Sequence, residues 1–146
     1  MGSITVPASM EHLYLVMDRI EEFLIQEGCQ EEERRIIDIS VEELFTNVAS
    51  YAYCASEKDK GQIRMDYSCN LLDGTGKKKE VMIQMVDWGI PYNPFARKDP
   101  DITLPIEERP IGGLGVYMVK TFMNKAEYRY CDGCNVITIT KEFQVL

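Results

Sequence analysis

The apolar residues of this chain change period in mid-sequence, and that change limits the possible folds more than any other feature. Over residues 10–26, Leu13, Val16, Met17, Ile20, Phe23 and Leu24 recur at steps of three and four, with Glu11, Asp18, Arg19, Glu21 and Glu22 between them. At about 100° of rotation per residue, this spacing gathers the apolar side chains on one helical face. Pro7 and Ser9 suit the start of that helix and Gly28 its end. A second helix over residues 30–53 carries Ile37, Val41, Leu44, Val48 and Ala52. From Ile63 the apolar residues alternate instead: Ile63, Met65, Tyr67, Cys69 and Leu71 against Arg64, Asp66, Ser68 and Asn70. Alternation predicts a half-buried strand.

Residues 81–86 are almost wholly apolar, which predicts a central strand covered on both faces. A short strand at 4–6 precedes the first helix. After a long irregular stretch over 87–111, which holds Pro91, Pro94, Pro100, Pro105 and Pro110, a third helix runs through Val116, Met118, Val119, Phe122 and Met123. Two more strands, at 126–130 and 136–140, meet across Asp132-Gly133, a preferred type I′ hairpin pair. Helices grouped apart from hairpin-linked strands predict one α+β domain over residues 1–146. It is a two-layer sandwich with helices on one face of a mixed, mostly antiparallel sheet. Proline-rich loops of such length are usually functional.

Charge and rare residues then remove whole classes of function. Lys and Arg number 16 against 24 Asp and Glu, a net charge of −8, which opposes binding to nucleic acid or to an anionic membrane surface. No run approaches the roughly 18 apolar residues of a membrane span, and none near the N-terminus resembles a signal peptide. The five cysteines are odd in number, so reduced thiols and a cytoplasmic location are expected. Cys131 and Cys134 have the spacing of half a zinc site or of a redox pair but lack a second pair, and the hairpin turn between them is the favoured explanation. His12 is the only histidine.

Three clusters could carry chemistry. Glu43 and Asn47 lie four apart on the second helix, so they share a face at the margin of the apolar stripe. A carboxylate there can serve as a general base, and an amide oxygen is a hard ligand suited to Mg²⁺. A solvated Glu-Asn pair would have the same spacing. Asp87-Trp88-Gly89-Ile90-Pro91 follows the most apolar strand. Asp87 can accept the exocyclic amine of a base while Gly89 admits close backbone approach, or Asp87 can bond the N–H groups of a turn. Gly112-Gly113-Leu114-Gly115 opens the third helix, where exposed N–H groups and the helix dipole favour an anion. The run fits neither the Walker pattern nor the dinucleotide fingerprint.

Taken in order, Glu-x-x-x-Asn, Asp-x-Gly-x-Pro after a strand, and Gly-x-Gly opening a helix resemble the N, G1 and G2 boxes of the GHKL ATPase superfamily, with its Bergerat ATP-binding fold. The likeness is closest to the small anti-sigma-factor serine/threonine kinases of the RsbW and SpoIIAB type. Those proteins also have an aromatic soon after the Asn, as Tyr51 and Tyr53 stand here, and a Glu-Arg segment before the glycines. The resemblance implies ATP and Mg²⁺ as cofactors. Glu43 matches the base that activates the attacking hydroxyl, Asn47 the Mg²⁺ ligand, and Asp87 with Gly89 the adenine-reading site. Gly112, Gly113 and Gly115 match the phosphate loop, and Arg109 a lid arginine reaching the terminal phosphate.

The same resemblance implies a sigma factor and a STAS-type anti-sigma-factor antagonist as partners, and a homodimer. Two positions depart from the pattern. Pro91 replaces the second glycine of the G1 box, and Gly133-Cys134 replaces a Gly-Thr, which removes a threonine hydroxyl near the base. Phosphoryl transfer needs positioned phosphates, a bridging metal and a carboxylate that orients the nucleophile, and the boxes supply all three. The alternative is an ATP-gated binding module without turnover, in which Glu43 would have no task. A histidine-kinase catalytic domain lacks support, because no helical segment with a phospho-accepting histidine precedes the boxes.

Overall fold

A computed structural model describes residues 1–53, 61–96, 103 and 114–146. Its described elements are β1 (Gly2–Pro7), α1 (Leu13–Gln26), α2 (Glu31–Tyr51), β2 (Gln62–Leu71), β3 (Lys78–Asp87), α3 (Leu114–Phe122), β4 (Lys125–Cys131) and β5 (Cys134–Gln144). The strands form one sheet in the order β1-β2-β3-β5-β4. Every described pairing in it is antiparallel. This is the expected α+β sandwich, three helices on a five-stranded sheet.

The alternation reads out directly as packing. Ile63, Met65 and Tyr67 of β2 stand opposite Asp87, Met85 and Ile83 of β3, which in turn oppose Asn135, Ile137 and Ile139 of β5. All nine side chains are buried. The seven apolar ones meet Val16, Ile20, Phe23 and Leu24 of α1 and Ile37, Val41, Leu44, Phe45 and Val48 of α2 in one core. The Phe23 and Tyr67 rings lie 4.8 Å apart between their centroids, tilted by 57°. Each fully buried aliphatic or aromatic side chain contributes about 1.5–3 kcal/mol.

The helix ends follow local chemistry. Gly28, with φ +84°, lets the chain leave α1 through paired bonds, Gly28 N–H to Ile25 C=O and Cys29 N–H to Leu24 C=O, each 3.0 Å. That is the left-handed cap a glycine favours. α1 starts later than its apolar period predicts, because residues 10–12 form a single 3₁₀ turn, with His12 N–H bonded to Ser9 C=O. Glu31, Glu32 and Glu33 fill the first turn of α2, where negative charge is favoured.

One expectation is corrected. β3 is the central strand, but the helices cover one face only: on its other face Val86 is buried, while Met82 and Gln84 are half-buried and line open grooves with residues of β1, β2 and β4. An apolar run can mark a strand that is merely central, since its outward residues need only partial cover from their neighbours.

Candidate functional site

The α2 cluster is assembled by helix geometry. Asn47 is buried, and its Nδ2 donates to the Glu43 backbone carbonyl at 2.8 Å and to Glu43 Oε1 at 3.0 Å. The amide therefore orients the carboxylate one turn below it. Asn47 Oδ1 remains the atom suited to a hard cation. Glu43 Oε2 points the other way, toward α3, where a Cβ added at Gly115 would overlap the carboxylate. Gly115 thus brings the start of α3 into backbone contact with Glu43, joining the first and third sequence clusters. Leu114 and Gly115 are described; Arg109, Gly112 and Gly113 lie outside the described residues.

The Asp87 cluster is built on the end of β3. Asp87 has 0% of its surface exposed, and its Oδ1 accepts from Gly89 N–H and from Asn135 Nδ2, each at 2.9 Å. The turn bond to Gly89 is present, and it leaves the second carboxylate oxygen outside the turn. Asp87 Oδ2 is buried and has no hydrogen-bond partner among the described residues. Burial raises this carboxyl above the usual carboxylate range, while the Asn135 and Gly89 donors pull it back down. A buried acceptor with no donor is costly, and a ligand amine would relieve it. The residues present therefore fit an adenine.

The loop after Asp87 is pinned to the C-terminal end of α2. Tyr53 hydroxyl donates to Gln62 C=O at 2.6 Å and accepts from Trp88 N–H at 2.9 Å. Ile90 N–H bonds Ala52 C=O at 2.8 Å. A Cβ at Gly89 would run into that same Ala52 carbonyl, so only glycine allows the approach. Tyr92 sits 5.4 Å from Tyr51, ring to ring. The two tyrosines that follow Glu43 and Asn47 are thus struts that tie the second cluster to the first. Trp88 is 46% exposed, with the Arg64 guanidinium 6.0 Å from its ring centroid.

Sequence reasoning missed Asn135 and Tyr128. Asn135 stands across the ladder from Asp87, and its amide is completed by Ile90 C=O at 2.8 Å, Tyr92 N–H at 3.0 Å and the Tyr128 hydroxyl. The departure at Gly133-Cys134 directed attention to a lost threonine hydroxyl, whereas the next residue brings an amide to the carboxylate. The only signal was strand register: Asp87 ends β3 and Asn135 begins β5, and the sequence does not state that these two strands pair. Cys131 and Cys134 flank the turn, in which Asp132 has φ 53° and Gly133 φ 78°, as a type I′ hairpin requires. No group of three or more metal-ligating residues occurs among the described residues.

The class of domain is thus a helical layer on an antiparallel sheet, with a buried carboxylate at a strand end that keeps one oxygen without a partner among the described residues, and a Glu-Asn pair beside a helix start. The chain belongs to the histidine kinase-like ATPase domain family, whose model matches residues 6–141. The serine-protein kinase RsbW of Bacillus mycoides is 24% identical over 143 residues, covering 95% of this chain and 82% of the relative. RsbW of Bacillus cereus is likewise 24% identical over 141 residues. Among solved structures, the RsbU and RsbW domains of a Mycobacterium tuberculosis protein superpose with a TM-score of 0.58 at 14% identity, covering 99% of this chain and 34% of that one. That likeness concerns the fold. No helix among the described residues is long and apolar enough to cross a membrane.

Proposed function

We propose that this single-domain chain is a cytoplasmic ATP-dependent protein-serine/threonine kinase that also holds a sigma factor. Its substrate would be a serine or threonine on a STAS-type antagonist protein, in a partner-switching circuit, and its working unit a homodimer. The observation that carries the reading is Glu43: one carboxylate oxygen is held by Asn47, and the other faces the backbone of α3 at Gly115. A pure binder has no use for a base so oriented. RsbW relatives spanning 95% of this chain are described as serine-protein kinases, which supports the same activity.

ATP would supply the phosphoryl group and Mg²⁺ would offset its charge. The chain's own residues then divide the work. Asp87 Oδ2 accepts an amine of the base, and Gly89 keeps the loop close to α2. Asn47 Oδ1 would hold the metal. Gly112, Gly113 and Gly115 would supply backbone N–H groups to the phosphates, and Arg109 would offer its planar fork to the terminal one. Glu43 takes the proton of the attacking hydroxyl. With His12 far from these residues in sequence, no histidine competes for that role.

Incubation with γ-labelled ATP and the cognate antagonist is expected to place label on serine or threonine. Glu43→Gln should lower transfer by about 10²–10⁴-fold while preserving ATP-dependent thermal stabilisation. A wild-type protein that binds ATP but labels no antagonist would be an ATP-gated binding module instead.

A further inference from the structure

Asn135 is 1% exposed and uses every hydrogen-bonding position of its amide. Nδ2 donates to Asp87 Oδ1 at 2.9 Å and to Ile90 C=O at 2.8 Å, while Oδ1 accepts from Tyr92 N–H at 3.0 Å and from the Tyr128 hydroxyl. Turning the amide over would set its oxygen against a carboxylate and a carbonyl, and its NH₂ against the Tyr92 N–H. The chemistry therefore allows one orientation only. Because that orientation commits Asp87 Oδ1, which also takes the Gly89 N–H, the carboxylate keeps Oδ2 as its one open acceptor.

From this, and resting on the nucleotide reading above, we propose that Asn135 is a positioning residue that holds Asp87 as a one-oxygen acceptor and so selects a purine bearing an amine over one bearing an oxo group. A buried carboxylate that loses the Asn135 donor, and keeps only the Gly89 N–H, takes up a proton more readily and then becomes a donor. A donor at Oδ2 suits the oxo group of hypoxanthine, whereas an acceptor suits the amine of adenine. The titratable neighbours are Tyr53 just past the end of α2, Tyr128 from β4 and Cys134 beside Asn135 on β5. Burial raises both tyrosines, so they stay neutral between pH 6 and 8 and leave the choice of charge to Asp87 and its donors.

Binding of ATP and of inosine triphosphate, which differ at this ring position, is read by thermal shift at pH 6 and pH 8. Wild type should prefer ATP, with little change between the two pH values. Asn135→Asp sets a second carboxylate against Asp87, and its ATP affinity should fall roughly ten- to hundredfold at pH 8. It should recover at pH 6, where the two carboxyls share a proton and Oδ2 is again an acceptor. Asn135→Leu should narrow the preference for ATP over inosine triphosphate, most at pH 6. A purely structural Asn135 would weaken both nucleotides equally and independently of pH, and that result overturns the inference. Should Asn135→Leu fail to fold, by circular dichroism, the pH profile of Asn135→Asp alone decides. A wild-type protein stabilised by neither nucleotide overturns the nucleotide reading and this inference with it.

Discussion

Asp87 and Asp38 are both aspartates that burial pushes above the usual carboxylate range. Asp87, at the end of β3, faces two donors: the Asn135 amide and the Gly89 N–H. Asp38, on α2, faces the carboxyl of Glu21 across from α1. That pair is anchored by Arg34, which bonds Glu21 Oε1 at 2.9 Å and Cys29 C=O at 2.7 Å. Asp38 Oδ1 and Glu21 Oε2 are buried and find no donor among the described residues. A bond between the two carboxyls therefore needs a proton, and burial followed by Glu21 pushes Asp38 up to about 7. Burial alone does not mark a ligand site. Donors on one oxygen leave the other free for a ligand, whereas an acid partner closes the pair on itself and ties two helices together.

Replacing Asp87 should have the largest effect. Asp87→Asn turns the open acceptor toward donor character and should abolish the stabilisation by ATP and Mg²⁺, about 2.7 kcal/mol at a hundredfold excess over Kd, read as a lost thermal shift. A mutant that still responds to ATP would make the two aspartates alike.

A smaller effect, opposite in kind, is expected at Asp38. Its carboxyl ionises near 3.8 when unfolded and near 7 when folded, so the folded state holds the extra proton between those values. Stability from this group is therefore full at low pH, falls as pH rises from about 4 to about 7, and stays reduced above. Asp38→Asn keeps a donor toward Glu21 and removes the charge. After allowance for partial exposure, it should raise stability by about 1–2 kcal/mol at pH 8 and leave it nearly unchanged at pH 4, as measured by urea unfolding. ATP binding should not change.

Smallest of all is the fully hydrated case. Glu31 pairs with Arg35 at 2.7 Å, but the side chains are 68% and 74% exposed. Glu31→Gln should cost about 0.3–0.5 kcal/mol, and less at high salt.

Much of this molecule was legible in its residues. The period of Leu13 to Leu24 named the inward face of α1, the alternation from Ile63 named that of β2, and Asp132-Gly133 named its hairpin. Glu43 and Asn47 were legible as a pair because a helix brings positions four apart together. What stayed hidden depended on partners distant in sequence. Asn135 meets Asp87 across 48 residues, and Gly115 meets Glu43 because α3 lies against α2. Tyr51 and Tyr53 were noticed as aromatics near the Asn, yet their work as struts under Trp88 and Tyr92 needed the end of β3 brought beside the end of α2.

By itself, then, the sequence determined the elements, their inward faces and the order of three chemical clusters, because helix and strand geometry repeat over a few residues. Tertiary structure alone decided which face of β3 is open, and that Asp38 shares its surroundings with an acid while Asp87 is met by an amide. Those outcomes depend on which strands and helices become neighbours. Neighbours across 17 or 48 residues are chosen by the burial of the whole core, which no local pattern encodes.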